Sequence, residues 1–121
     1  TDSNTVICDY YNANPSSMKV ALDNLSAMEG TDKVFILGDM FELGAESVAE
    51  HQLVVEKSLG MSLSRRIFVG KDFYAHKNGQ GEFYLSTDDA YQALSNTPVK
   101  DATVLVKGSR GMRLEKLIEL L

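Results

Sequence analysis

Two stretches restrict the possible folds more than any other feature of the chain. Val34-Phe35-Ile36-Leu37 and Val104-Leu105-Val106 are apolar runs with no polar alternation. A strand with one wet face alternates apolar and polar residues, whereas an unbroken run suits a strand covered on both faces, as in a parallel sheet. Strands are expected at about 5–9, 33–37, 66–70, 82–85 and 103–107. Between them lie segments with helical spacing. Met18, Ala21, Leu22, Leu25 and Met28 share one face of a helix expected from Pro15 to about Glu29 and closed by Gly30. A second helix is expected from about Ala45 to Leu59, with Val48, Gln52, Val55 and Leu59 inward and Gly60 closing it. A short helix or turn should follow near Asp72–His76. Another should run from a Thr87 cap to about Ser95, with Ala90, Tyr91 and Leu94 inward. The last should carry Leu114, Leu117, Ile118 and Leu121 on its inner face. Alternating strands and helices imply right-handed βαβ units. The expected fold is α/β: a three-layer α/β/α Rossmann-like domain with a mainly parallel five-stranded sheet.

Length and charge narrow the function. A chain of 121 residues makes one domain, covering 1–121. A formal charge of −5 argues against nucleic acid and anionic membrane as partners. No apolar run approaches the roughly 20 residues of a membrane span, and no basic-then-apolar leader is visible. The one cysteine, Cys8, cannot form an internal disulfide, and in an apolar strand it reads as inert core. The expected location is cytoplasmic. The chain opens at Thr1 without a methionine, so it is expected to be a piece of a longer protein.

The unusual polar residues cluster just after three strands, in Asp9–Asn14, Gly38–Gly44 and Lys107–Arg110. In a parallel sheet these turns all emerge at the carboxyl edge, where ligands bind. Asp9 can accept from ribose hydroxyls, approach a metal, or cap amides of its own turn. Tyr11 can stack on a base, bond a phosphate, or pack on the first helix. Asn12 and Asn14 can orient a ligand, though Asn14 followed by Pro15 is also a good helix cap. Asp39 and Glu42 form an acidic pair suited to an ammonium group, or a solvated loop. Lys107, Gly108, Ser109 and Arg110 offer two cations and a hydroxyl around a glycine, either as an anion cradle or as an exposed basic turn. The turn at Gly70-Lys71-Asp72 is plainer. His51, within a helix, is expected to have a local partner, and His76 to be surface.

Several machines are missing. The chain has no Gly-x-x-x-x-Gly-Lys-Ser/Thr phosphate loop, no Gly-x-Gly-x-x-Gly fingerprint, no zinc-spaced Cys/His set and no Gly-x-Ser-x-Gly elbow. Alone, it lacks a complete triphosphate site.

Three motifs together resemble one family. Asp9-Tyr10-Tyr11-Asn12-Ala13-Asn14-Pro15-Ser16-Ser17-Met18, Ile36-Leu37-Gly38-Asp39-Met40-Phe41-Glu42-Leu43-Gly44 and Val106-Lys107-Gly108-Ser109-Arg110, in this order, are similar to the C-terminal domain of the Mur ligases. The first two stretches are most similar to the member that adds D-Ala-D-Ala, and His51 falls on a histidine of the family pattern. The resemblance covers essentially the whole chain. It implies a three-domain enzyme of peptidoglycan precursor synthesis in which ATP phosphorylates the carboxylate of UDP-N-acetylmuramoyl-tripeptide and the D-Ala-D-Ala amine displaces the phosphate. It implies that ATP and Mg are bound mainly by a central domain outside this chain, and that this domain closes over the nucleotide and is inactive alone. It implies a nucleotide role for Asp9 (ribose), Tyr11, Asn12 and Asn14. Tyr11 stands where a sister ligase has a phosphate-contacting lysine, a departure that leaves its phosphate role open. Asp39, Glu42, Lys107, Ser109 and Arg110 would serve the substrate. Glu42 replaces a lysine that a sister ligase uses for an acidic substrate, which suits an incoming amine. The implied strand order is one-five-two-three-four, with a further antiparallel strand beside the first. Lacking that neighbour, the fragment could self-associate through the exposed edge. Competing expectations are a stand-alone nucleotide-binding module and the related folate–glutamate ligase domain, which the Tyr-Asn-Ala-Asn-Pro turn argues against.

Overall fold

The computed structural model describes residues 4–9, 13–30 and 32–121. Five strands, β1 (Thr5–Asp9), β2 (Lys33–Gly38), β3 (Arg65–Val69), β4 (Glu82–Tyr84) and β5 (Thr103–Lys107), form one sheet in the order β1-β5-β2-β3-β4. Every described pairing is parallel. This is the order the resemblance implied, and it places the two unbroken apolar runs, β2 and β5, in the interior of the sheet. The helices are α1 (Pro15–Ala27), α2 (Ser47–Leu59), α3 (Lys71–Tyr74), α4 (Thr87–Asn96) and α5 (Glu115–Ile118), with single 3-10 turns at Gly44–Glu46 and Arg110–Met112.

Side chains alternate across each strand, so the sheet has two different faces. Val34, Ile36, Ile67, Val69, Val104 and Val106 pack on Ala90 and Leu94 of α4 and on Leu114, Leu117 and Leu121. Phe35, Leu37, Phe68 and Leu105 pack on Met18, Leu22 and Leu25 of α1, Val54 and Val55 of α2, and Phe73 of α3. β-Branched residues line one face while bulkier ones fill the other, where Phe68 touches both Phe35 and Phe73 with ring centroids 5.1 and 5.0 Å away. Helices therefore cover both faces, which makes the three layers.

Local chemistry sets the helix starts. Asn14 Oδ1 accepts from Ser17 N–H at 2.8 Å while Ser17 Oγ accepts from Asn14 N–H at 3.0 Å, a reciprocal capping box with Pro15 at the first helical position. At the far edge, Asn4 Nδ2 donates to the carbonyls of Val99 and Leu121 at 2.9 and 3.0 Å, tying the entry of β1 to the chain's last turn.

Four expectations need correction. The inner face of α2 is His51, Val54, Val55 and Ser58, while Val48 is 68% exposed and Leu59 is also exposed. Polar His51 and Ser58 are buried with their hydrogen bonds made, which turns the helix away from the face that apolar spacing suggests. Cys8 is exposed rather than core, because β1 is an edge strand whose described pairing is with β5 alone. Ser86, not Thr87, caps α4: its hydroxyl accepts from Asp89 N–H at 3.1 Å, and the Thr87 hydroxyl donates to the Met112 carbonyl. The closing helix is one turn only, Glu115–Ile118, preceded by Arg113 at φ +56°, yet Leu114, Leu117 and Leu121 are buried as the spacing demands. Among the described residues, no helix is long and apolar enough to cross a membrane.

Candidate functional site

The carboxyl ends of four strands are level. In the ladder Asp9 sits opposite Lys107, Lys107 opposite Leu37, and Gly38 opposite Val69. The ends of β1, β5, β2 and β3 therefore lie side by side, and the described turns after β5, β2 and β3 leave the sheet together. Two of them touch at the backbone. A Cβ built on Gly108 would lie 3.0 Å from the Gly38 Cα and 2.6 Å from Leu114 Cδ1, so this approach requires glycine. The turns are also bonded: Ser109 N–H donates to the Asp39 carbonyl at 3.3 Å, and Phe41 N–H donates to Ser109 Oγ at 3.0 Å.

Asp39 joins a further turn. Its carboxylate points inward, 2% exposed, and accepts from the N–H groups of Asp72 and Phe73 at 2.9 and 3.0 Å, at the start of α3. Burial pushes this carboxyl up from its ordinary value and neighbouring Asp72 adds to the rise, while the two amide bonds oppose it. Gly70, at φ +122°, makes room for it: a Cβ there would overlap the Asp39 carboxylate. His51, fully buried, completes the arrangement. Its Nε2 accepts from Met40 N–H at 3.0 Å, so its Nδ1 carries the hydrogen and donates to the Ser47 carbonyl at 2.7 Å. Its ring packs edge-on against Phe73, centroids 4.6 Å apart.

Asp39, His51 and Asp72 bring potential metal ligands within 4.8 Å of one another. They do not fit Mg, which asks for an open octahedron of oxygens. The lone pair of His51 Nε2 is already taken by the Met40 N–H, and each Asp39 oxygen already accepts one backbone N–H. This is a structural clamp.

The other expected site residues fall as follows. Glu42 is exposed, at φ +64°, on the tip of the β2 turn. Ser109 is half-buried and bonded to Phe41. Lys107 is fully buried at the end of β5, not on an exposed basic turn. Asn14 is engaged as the α1 cap. Tyr11 and Asn12 lie outside the described residues, as do the side chains of Asp9 and Arg110. The structure thus brings Asp39, Glu42 and Ser109 together on one rim. Reading the sequence alone set the Gly70-Lys71-Asp72 turn aside as plainer, yet it lies beside the rim at the start of α3. The only hint was a glycine directly after a strand.

Beside this rim, a groove of about 500 Å³ runs between Glu42 on one wall and Lys71 and Asp72 on the other, with Phe41 and Leu43 as apolar contacts. It offers two carboxylates, an ammonium and apolar surface within one small space.

Comparison with known proteins agrees with this geometry. The family model for the Mur ligase, glutamate ligase domain matches residues 1–110. The chain is 35% identical over 124 residues to UDP-N-acetylmuramoyl-tripeptide–D-alanyl-D-alanine ligase of Escherichia coli, covering 99% of the chain and 27% of that protein. It is 32% identical over 120 residues to the ligase of the same name from Rickettsia prowazekii, covering 94% and 26%. Among solved structures, MurF from Acinetobacter baumannii superposes with a TM-score of 0.76 at 28% identity, over 92% of this chain and 26% of that one. MurF from Thermotoga maritima, solved in complex with ADP, gives 0.80 over 99% and 28%, at an identity of 21% that speaks for the fold alone. The chain spans about a quarter of the length of the relatives it matches. On the match over residues 1–110 and the identity to these ligases, the chain belongs to the Mur ligase family.

Proposed function

We propose that this chain is the C-terminal domain of the ligase that joins D-Ala-D-Ala to UDP-N-acetylmuramoyl-tripeptide in peptidoglycan precursor synthesis. The observation that carries this reading is the match of 94–99% of the chain to proteins of that name at 32–35% identity. In the reaction, the γ-phosphoryl group of ATP passes to the tripeptide carboxylate, giving ADP and an acyl phosphate. The dipeptide amine then attacks the carbonyl carbon, an amide bond forms, and phosphate and a proton leave. The chain has no phosphate loop, so ATP phosphates and Mg are held elsewhere in the ligase. This domain's share is orientation: it closes over the nucleotide, with Asp9 directed to the ribose and Tyr11, Asn12 and Asn14 beside it, and it presents the amine. Glu42 holds the dipeptide ammonium, and Ser109 and Arg110 serve its carboxylate end. The setting is the cytoplasm.

The test uses the full-length protein. With UDP-N-acetylmuramoyl-tripeptide and ATP, phosphate release is expected to require D-Ala-D-Ala and to yield the pentapeptide product. Turnover without the dipeptide, or none with it, would overturn the reading. Glu42→Lys is expected to raise the KM for D-Ala-D-Ala by about tenfold or more, because a cation then faces the ammonium. An unchanged KM would remove Glu42 from the site. The 121-residue chain by itself is expected to hydrolyse no ATP.

A further inference from the structure

The clamp behind the rim serves a purpose that its bonding explains. The groove's two walls come from different strand ends. One is the turn after β2 that carries Glu42, and the other is the turn after β3 that carries Lys71 and Asp72. The second wall is the start of α3, with Tyr74 N–H donating to the Gly70 carbonyl at 2.9 Å, and the first is held on one side by Phe41 N–H donating to Ser109 Oγ. Glu42 stands in the left-handed region at φ +64°, a conformation disfavoured for a glutamate. Each wall is in addition fastened from the interior by a buried side chain, Asp39 or His51. Asp39 binds the N–H groups of Asp72 and Phe73, and His51 binds that of Met40, two residues before Glu42.

We infer that His51 is a positioning residue: its unprotonated Nε2 holds the Met40 amide so that the Glu42 carboxylate faces Lys71 and Asp72 across a groove that takes a small zwitterionic peptide by its amine. The identity of the peptide rests on the ligase reading above; the positioning role does not. Removing the acceptor leaves the Met40 N–H buried and unsatisfied, and the turn relaxes to find a partner. His51 touches no substrate in this scheme, so its loss acts on the fit of the amine-bearing substrate and not on ATP.

Three substitutions in the full-length ligase separate this from a merely structural role. His51→Gln places an amide oxygen where Nε2 stands and keeps the bond. His51→Leu fills the space without an acceptor. His51→Asn keeps the Ser47 contact but is too short to reach Met40, and carries the comparison should Leu not fold. Loss of folded enzyme alone scales kcat and leaves KM unchanged. The expected result is that Leu and Asn raise the KM for D-Ala-D-Ala about tenfold, that the KM for ATP stays within about twofold, and that Gln restores the wild-type value. A second readout needs no ligase activity. Amide exchange across residues 39–44 is expected to quicken about tenfold in the Leu and Asn variants and stay slow with Gln, while β2 and β5 are unchanged. An unchanged dipeptide KM, an equal rise for both substrates, a Gln variant as impaired as Leu, or unaltered exchange of the turn would each overturn the inference. A wild-type enzyme that ignores D-Ala-D-Ala but shows the exchange pattern would instead overturn the ligase reading alone.

Discussion

At Gly70 the backbone and a side chain compete for the same volume. Its φ of +122° disfavours any other residue, and a Cβ would overlap the Asp39 carboxylate. Gly70→Ala is therefore expected to lower stability by about 2 kcal/mol or more, read as a fall in the denaturant midpoint at constant slope. A midpoint within error of wild type would show that Asp39 has room to move. Asp39 also shows why the site was only partly legible. An aspartate in a glycine-flanked turn reads as an open acid, and nothing nearby in the sequence reveals its partners, since the amides it caps lie 33 and 34 residues further on. A second residue-scale feature sits at the opposite edge of the sheet. Arg65 Nε and Nη2 grip Glu82 at 2.7 Å each, and the Tyr84 hydroxyl donates to it at 2.8 Å. Burial pushes the Glu82 carboxyl up, but the guanidinium and phenol outweigh it, and the group ends below its usual value. Burial and the Glu82 carboxylate push the Tyr84 phenol up to about 12. A carboxyl with a depressed folded value contributes stability that is present above its unfolded value of about 4.3 and lost as pH falls through the folded one. A phenol with a raised folded value contributes stability that is present below about 10 and lost as pH climbs through the folded one. Glu82→Gln should thus reduce the acid loss of stability below about pH 4. Tyr84→Phe should remove an ionisation near pH 12 from the ultraviolet absorbance titration. A wild-type titration with no step there would contradict this account.

At the level of elements, the strands were readable because β2 and β5 are buried on both faces and carry no polar residue between Val34 and Leu37 or between Val104 and Val106. The helices were readable in position but less so in orientation. α2 defeats an apolar count because His51 and Ser58 go inside with local bonds, the latter from its Oγ to the Val55 carbonyl at 2.6 Å. β1 defeats it in the opposite sense: its composition is that of an inner strand, and only its place at the edge leaves Cys8 open. Cys8 in the folded 121-residue chain is accordingly expected to react stoichiometrically with a thiol reagent without denaturant. Labelling that requires unfolding would show that something covers this edge.

Across the whole molecule, the order of strands decides which turns become neighbours. With β5 inserted between β1 and β2, the carboxyl ends of all three lie level on one rim, although Asp9 and Lys107 are almost a hundred positions apart in the chain. Propensity and spacing do not encode that insertion, and motif resemblance supplied it. The Gly38–Gly108 contact, the Ser109–Phe41 bond and the Asp39 cap rivet this rim into a single stiff plate. The fastened turns are those after β2, β3 and β5, each held to the next by bonds that cross between strand ends. Should this domain close over a nucleotide as proposed, these three turns would travel as one body, so a substitution that loosens one of them is felt at its neighbours.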